Sequence, residues 1–115
     1  MQDCLFCRIV RGEIPAAIVH EDEWVLAFKD IQPQRPVHVL VIPKKHITSL
    51  AEATEADTEV LGRMLVIANR IAVDQGSTDG FRSIINTGRV GGQEVMHVHM
   101  HIVGEQEPVG PMLKR

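Results

Sequence analysis

The chain has 115 residues, 44% of them hydrophobic, and a formal net charge of −3 from 12 basic and 15 acidic side chains, a size that suits one domain over residues 1–115 with one core. Opposite charges are interspersed, which leaves no electrostatic footprint for nucleic acid, and no apolar run approaches the roughly 20 residues needed to cross a bilayer. The start Met1-Gln2-Asp3-Cys4 lacks the basic and apolar stretches of a secretory signal, so the expected location is the cytoplasm, where the two cysteines stay reduced.

A short helix is predicted over residues 5–10, where Leu5, Phe6, Ile9 and Val10 form one apolar stripe before Gly12. After Pro15, residues 17–20 and 24–29 read as a hairpin around the acidic turn Glu21-Asp22-Glu23. Pro33 and Pro36 bracket a stiff connection into residues 37–42, a strand apolar on both faces and therefore expected at the centre of a sheet, which Pro43 stops. Thr54, with Asp57 three residues on, is a candidate helix cap. Val60, Leu61, Met64, Leu65, Ala68, Ile71 and Ala72 then recur at helical spacing, with Glu55, Glu59, Arg63 and Arg70 on the wet side. Gly62 is a weak point, costing about 1 kcal/mol against alanine, and the helix is expected to end near Gly76, before the turn at Asp79-Gly80. Residues 81–86 read as a fourth strand, 87–94 as a polar glycine-rich loop and 95–103 as a fifth strand, followed by a tail of little pattern. No internal repeat is present. The sum is an α+β domain, a five-stranded mainly antiparallel sheet with a short N-terminal helix and one long helix, the helices expected on one face and the other face left for chemistry.

That chemistry concentrates in His97-Val98-His99-Met100-His101, which holds three of the six histidines. In a strand successive side chains alternate, so the three imidazoles share one face at intervals of roughly 6.7 Å while Val98, Met100 and Ile102 face a core. A single strand histidine is mostly a bland residue. Three at strict alternation are not, because burying three unpaired imidazoles is costly. Neutral imidazole attacks phosphorus well and forms a bond that water cleaves in a second step. It needs its attacking nitrogen bare, which a hydrogen bond from its other nitrogen to a carbonyl or a neighbour would secure. His38 comes close if the third and fifth strands are neighbours. One catalytic metal held by all three is excluded, since the outer pair lie about 13 Å apart and zinc–nitrogen bonds are ~2.1 Å.

The loop Asn86-Thr87-Gly88-Arg89-Val90-Gly91-Gly92-Gln93-Glu94 precedes these histidines. Its glycines let backbone N–H groups turn toward an anion, and Asn86 and Gln93 add donors. At the other end, Cys4-Leu5-Phe6-Cys7 has the gap that lets two thiolates reach one zinc ion. Redox chemistry is a rival, but no strand precedes the motif, and a pair of packed, inert thiols is the plain alternative.

With these residues in view the chain resembles the histidine triad (HIT) superfamily, whose signature of alternating histidines and two apolar residues is matched by His97-Val98-His99-Met100-His101-Ile102-Val103. The resemblance runs over nearly the whole chain, through Gly12-Glu13-Ile14-Pro15-Ala16, Phe28-Lys29-Asp30-Ile31, Val41-Ile42-Pro43-Lys44-Lys45-His46-Ile47 and Gly91-Gly92-Gln93-Glu94. It is similar to the Hint-like nucleoside phosphoramidase branch, and Gly110-Pro111-Met112-Leu113 resembles the ending of bacterial members. The resemblance implies a homodimer with a continuous ten-stranded sheet. It also implies hydrolysis of purine nucleoside 5′-phosphoramidates or aminoacyl-adenylates to the monophosphate through a nucleotidyl-histidine; a dinucleoside polyphosphate hydrolase and a non-enzymatic adenylate sensor are the alternatives. By the same analogy His99 attacks, His101 and Asn86 contact the phosphate beside Gln93, and His38 tunes the nucleophile, with either His38 or His101 protonating the departing amine. Asp30 would accept from the ribose hydroxyls, and Phe6, Ile9, Phe28 and Ile31, which taken alone read as core residues, would form the base slot. Glu94 stands where some members carry serine; its carboxylate would repel phosphate, which leaves its backbone N–H as the contact. Members with this cysteine pair hold a structural zinc, here through Cys4, Cys7, His46 and His97, and use no organic cofactor.

Overall fold

Val37–Pro43 is buried along its whole length because it runs between two other strands and is covered on both sides. In the computed structural model, which describes residues 4–111, this strand, β3, pairs with β2 (Val25–Lys29) on one flank and β5 (Met100–Gly104) on the other. β1 (Ile18–Glu21) and β4 (Arg82–Ile85) complete an antiparallel sheet in the order β1-β2-β3-β5-β4. The five strands, the short α1 (Leu5–Val10) and the long α2 (Thr58–Asp74) are those the sequence predicts. The ending Gly110-Pro111-Met112-Leu113 is only partly covered, Met112 and Leu113 lying outside the described residues. Among the described residues no helix is long and apolar enough to cross a membrane.

The helices do not share a face. Val25, Ala27, Val39, Val41, Met100 and Ile102 pack against Val60, Met64, Ala68, Ile71 and Ala72 of α2. The intervening side chains Leu26, Phe28, Leu40 and Ile42 pack against Phe6 and Ile9 of α1 on the opposite side. Strands apolar at both parities must be covered twice, and α1 is the second cover. Each core leucine or phenylalanine buried this way contributes roughly 1.5–3 kcal/mol.

Three local features depart from the sequence reading. The Thr54–Asp57 capping box forms as expected, but it caps a short 3₁₀ turn, Glu55–Asp57, that leads into α2. Gly88–Gly91 winds into a short helical turn, α3, entered at Gly88 (φ 68°) and left at Gly92 (φ 77°), a backbone region natural only to glycine. The fifth strand begins at Met100, not at residue 95. His97 N–H bonds the Val95 carbonyl at 2.9 Å and Val98 N–H bonds the Ile47 carbonyl at 2.7 Å, so this stretch leaves the ladder. Val98, Met100 and Ile102 remain in the α2-side core, as the alternation requires.

Candidate active site

On the α1 side of the sheet lies a cleft of about 620 Å³ whose walls include Phe6 and Ile9 of α1, Phe28 of β2, and His99 and His101. Phe6, Ile9 and Phe28 are buried core residues that also show one surface to the cleft, whereas Ile31 is 93% exposed and stands at its rim. Asp30, His38, Asn86 and Glu94 line the same space. So do Leu5, which the sequence reading took only as part of the helical stripe, and Ile14, Pro15 and Ala16, which it gave no place in the site because no periodicity marks them. Gln93 is absent from the lining. Its amide is buried, with Oε1 accepting from Gly88 N–H at 2.9 Å and Nε2 donating to the Thr48 and Val95 carbonyls at 2.8 and 3.0 Å. The phosphate-donor role expected for that side chain is thus replaced by bracing of the α3 loop.

The protonation of each imidazole follows from what its neighbours can do. His99 Nδ1 lies 2.8 Å from the His97 carbonyl; a carbonyl only accepts, so Nδ1 carries the hydrogen and Nε2 is bare in the neutral ring. The His99 ring is held edge-to-face against Phe6 at a centroid distance of 5.2 Å and lies 5.2 Å from the His101 ring. Gln34 N–H donates to His38 Nδ1 at 3.0 Å, which leaves the His38 proton on Nε2. That Nε2–H donates to His101 Nδ1 at 2.8 Å, so the His101 proton sits on Nε2. A directed chain results, from the Gln34 backbone through His38 to a His101 N–H donor. No sequence signal could mark Gln34, because a backbone N–H carries no residue identity.

Burial, and then the positive charges that His99 and His38 would carry, push the His101 imidazole down to about 4 against the opposing pull of Asp30. His101 is therefore neutral near pH 7. Asp30 Oδ2 lies 3.4 Å from His38 Nε2, and its Oδ1 accepts from Gln32 N–H at 2.8 Å. Asp30, His38 and His101 are close enough to share a cation, but a metal on His38 Nε2 would need a ring stripped of both protons, since Nδ1 already accepts from Gln34. The group is a hydrogen-bonded relay.

A second cluster has the opposite character. Cys4 caps α1, its Sγ accepting from Cys7 N–H at 3.4 Å, and lies 3.3 Å from His97 Nδ1. Cys7 Sγ lies 3.3 Å from His46 Nδ1 and 3.6 Å from His97 Nδ1, and the two Nδ1 atoms are 3.2 Å apart. His97 Nε2 donates to the Pro43 carbonyl at 2.9 Å, which leaves its Nδ1 bare. His46 Nε2 meets Thr48 Oγ1 at 3.2 Å. Burial pushes the His97 imidazole down to about 4 despite its bond to Pro43. It lowers His46 and raises the Cys7 thiol as well. With bonds of about 2.05 Å to nitrogen and 2.3 Å to sulfur, a tetrahedral zinc ion has edges of about 3.3 Å between nitrogens and 3.6 Å between nitrogen and sulfur. The spacings of 3.2 Å between nitrogens and 3.3–3.6 Å between nitrogen and sulfur are close to these, and the four donors fit such an ion.

The two clusters meet at His97, whose ring belongs to the second and whose carbonyl holds His99 in the first. Phe6, between the cysteines, contacts both rings, with centroids 5.9 Å from His97 and 5.2 Å from His99.

A family model described as HIT domain matches residues 11–108. The chain is 46% identical over 113 residues to a purine nucleoside phosphoramidase of Escherichia coli strain K12, covering 97% of this chain and 94% of that protein. Among solved structures it is similar to a HIT family hydrolase from Clostridium thermocellum, with a TM-score of 0.92 and 41% identity over 98% of this chain and 99% of that one. It is likewise similar to a histidine triad protein from Clostridium difficile, with a TM-score of 0.89 and 43% identity over 96% and 97% of the two chains.

Proposed function

This chain belongs to the HIT domain family, and on that premise we propose that it hydrolyses purine nucleoside 5′-phosphoramidates to the nucleoside monophosphate through a transient bond between His99 Nε2 and phosphorus. The observation that carries the reading is the 2.8 Å hydrogen bond from His99 Nδ1 to the His97 carbonyl, because it leaves the other nitrogen as a lone pair facing a cleft of nucleotide size. The phosphoramidase of Escherichia coli to which the chain is similar supports the substrate class.

In this mechanism the purine lies between Phe6, Ile9 and Phe28, where apolar walls favour a flat ring. Asp30 accepts from the ribose hydroxyls. Asn86 and the backbone N–H of Glu94 flank the phosphate. His99 Nε2 bonds to phosphorus as the P–N bond breaks, and the amine leaves with a proton from solvent. Water then attacks phosphorus, the P–His99 bond breaks, and a proton returns to solvent. His101 is neutral, and giving up its only proton would leave a buried imidazolate, which is costly. Its Nε2–H therefore serves as a hydrogen-bond donor to the phosphoryl oxygens as charge develops on them. His38, held by Gln34, keeps that donor pointed outward.

Cys4, Cys7, His46 and His97 would hold a structural zinc ion, and these four residues would thereby tie α1 and the His97 segment to the turn after β3. A homodimer that continues the sheet to ten strands completes the reading, supported by the open edge of the short strand β4. So does a cytoplasmic setting, where free thiols persist.

The test is release of AMP from adenosine 5′-phosphoramidate, with intact-mass detection of protein carrying one adenylyl group after acid quench. An adenylate sensor would bind the compound and release no AMP. A hydrolase specialised for dinucleoside polyphosphates would leave the P–N bond intact.

A further inference from the structure

The main chain of α1 is not tied to the sheet. Six residues are too few for a helix to stand alone in water. Among the described residues its flanking main-chain hydrogen bonds close on the segment itself, from Arg8 to Cys4, Arg11 to Cys7, Gly12 to Ile9 and Glu13 to Arg8. The backbone first joins the sheet at Ala17, whose carbonyl accepts from Lys29 N–H at 3.0 Å. Between α1 and that point lies an exposed bend at Gly12, where φ is 77°.

Two inward attachments hold the helix down. Phe6 and Ile9 pack on Leu26, Phe28, Leu40 and Ile42 of the sheet. The Cys4 and Cys7 sulfurs lie 3.3 Å from His97 Nδ1 and His46 Nδ1, and a thiol by itself is a weak hydrogen-bond donor. Each attachment belongs to a different site. The cysteines are half of the four-donor cluster, whereas Phe6 and Ile9 are one wall of the nucleotide cleft. Phe6 stands between the two cysteines in sequence, so fixing both sulfurs also fixes its ring. The opposing groups are held without α1. His97 is buried, with Nε2 bonded to the Pro43 carbonyl and its N–H to the Val95 carbonyl, and Phe28 lies in β2, paired on both flanks. The one element whose docking both sites share is α1.

We propose that the Cys4, Cys7, His46 and His97 cluster is an effector site for the nucleotide cleft. Metal ligation through the cysteines and purine stacking on Phe6 and Ile9 both require docked α1, so each raises the affinity for the other. The proposal rests on the nucleotide reading of the cleft. A purely structural ion would stabilise the fold and leave the nucleotide affinity of the folded protein untouched. Coupling through α1 is reciprocal, and it is absent for a ligand that does not touch the helix. Ribose 5-phosphate is such a ligand, since it keeps the contacts to Asp30, His99 and His101 and lacks the base.

The test titrates AMP and ribose 5-phosphate by calorimetry into zinc-loaded and metal-free protein, and measures zinc affinity by chelator competition with and without each ligand at saturation. AMP is expected to bind the zinc form about tenfold more tightly, and zinc to bind the AMP complex more tightly by the same factor. Ribose 5-phosphate should bind both forms alike. Hydrogen exchange at the Arg8 and Arg11 amides, which close the turns of α1, should slow with zinc and slow again with AMP. Equal AMP affinity in the two forms, or a zinc affinity indifferent to AMP, overturns the coupling and leaves the nucleotide reading standing. Ribose 5-phosphate coupled as strongly as AMP overturns α1 as the shared element, and a metal-free chain that unfolds as a whole gives that same result. Absence of stoichiometric zinc uptake overturns the effector site as well. Failure of AMP to bind either form overturns both the coupling and the nucleotide reading.

Discussion

His97 and His99 are two residues apart, both buried, and each bonds a backbone carbonyl, but through different nitrogens. His97 uses Nε2 toward Pro43 and keeps Nδ1 bare; His99 uses Nδ1 toward His97 and keeps Nε2 bare. In the first case the bare nitrogen turns inward, where His46 and two thiols converge within 4.8 Å of one another. In the second it faces the cleft, next to a donor chain that runs from the Gln34 N–H through His38 and ends in the His101 N–H. Side chains of one type, on one segment, thus present different nitrogens, and on the proposed reading serve as metal ligand and as nucleophile, according to which nitrogen the main chain occupies.

The sharpest way to break this contrast is to exchange the roles' dependence on each ring. His99→Ala is expected to lower AMP release by at least about 10⁴-fold while metal content and thermal midpoint stay near wild type; residual turnover above that level would remove His99 as nucleophile. His101→Ala removes one donor to the phosphoryl group, for which a loss of about 10²–10³-fold is expected. The loss should be the same for amines of low and high basicity. A loss that grows with amine basicity would show that His101 is the acid after all.

On the other side of the contrast, Cys4→Ser should abolish stoichiometric zinc, measured by atomic absorption, and lower the thermal midpoint by on the order of 10 °C. Per folded molecule, its effect on turnover should be far smaller than that of His101→Ala. Unchanged metal stoichiometry would count against the four-ligand site.

Acid probes the relay more gently. His101 has a folded-state value of about 4 against 6.5 for the free side chain, so between those limits the unfolded chain binds a proton that the folded chain does not. Stability from this group therefore falls as pH falls from about 6.5 to 4 and is level on either side. Urea midpoints followed over that window should show a shallower slope in His101→Asn. The smallest effect is a control outside both clusters. Gly62 lies in α2 with open space where a Cβ would point, so Gly62→Ala should stabilise by about 0.5–1 kcal/mol with metal content and turnover unchanged.

Much of this was legible in one dimension. The alternation of Val98, Met100 and Ile102, the apolar run of β3, the helical stripe of α2 and the spacing of Cys4 and Cys7 each report a periodicity, and each element is found where it points. Other features were not. The run of residues 95–99 has strand-like alternation yet follows no ladder, because Val95 and Ile47 carbonyls capture its N–H groups. Gln93 looked like a donor for an anion, but the Thr48 carbonyl, 45 residues earlier, takes one of its protons. Ile31, apolar in sequence, has no neighbouring element to cover it and stays exposed.

Residue types and their spacing by themselves determined which elements form, which side chains are apolar partners, and that imidazoles and thiols would gather at few points. Tertiary structure alone decided the two faces served by α1 and α2, the inward turn of His97, and the proton position on His38, His97, His99 and His101. The reason is physical: Pro43 and His97 accept, and Gln34 donates, through peptide groups that carry no residue identity. Their direction exists only after the chain has folded.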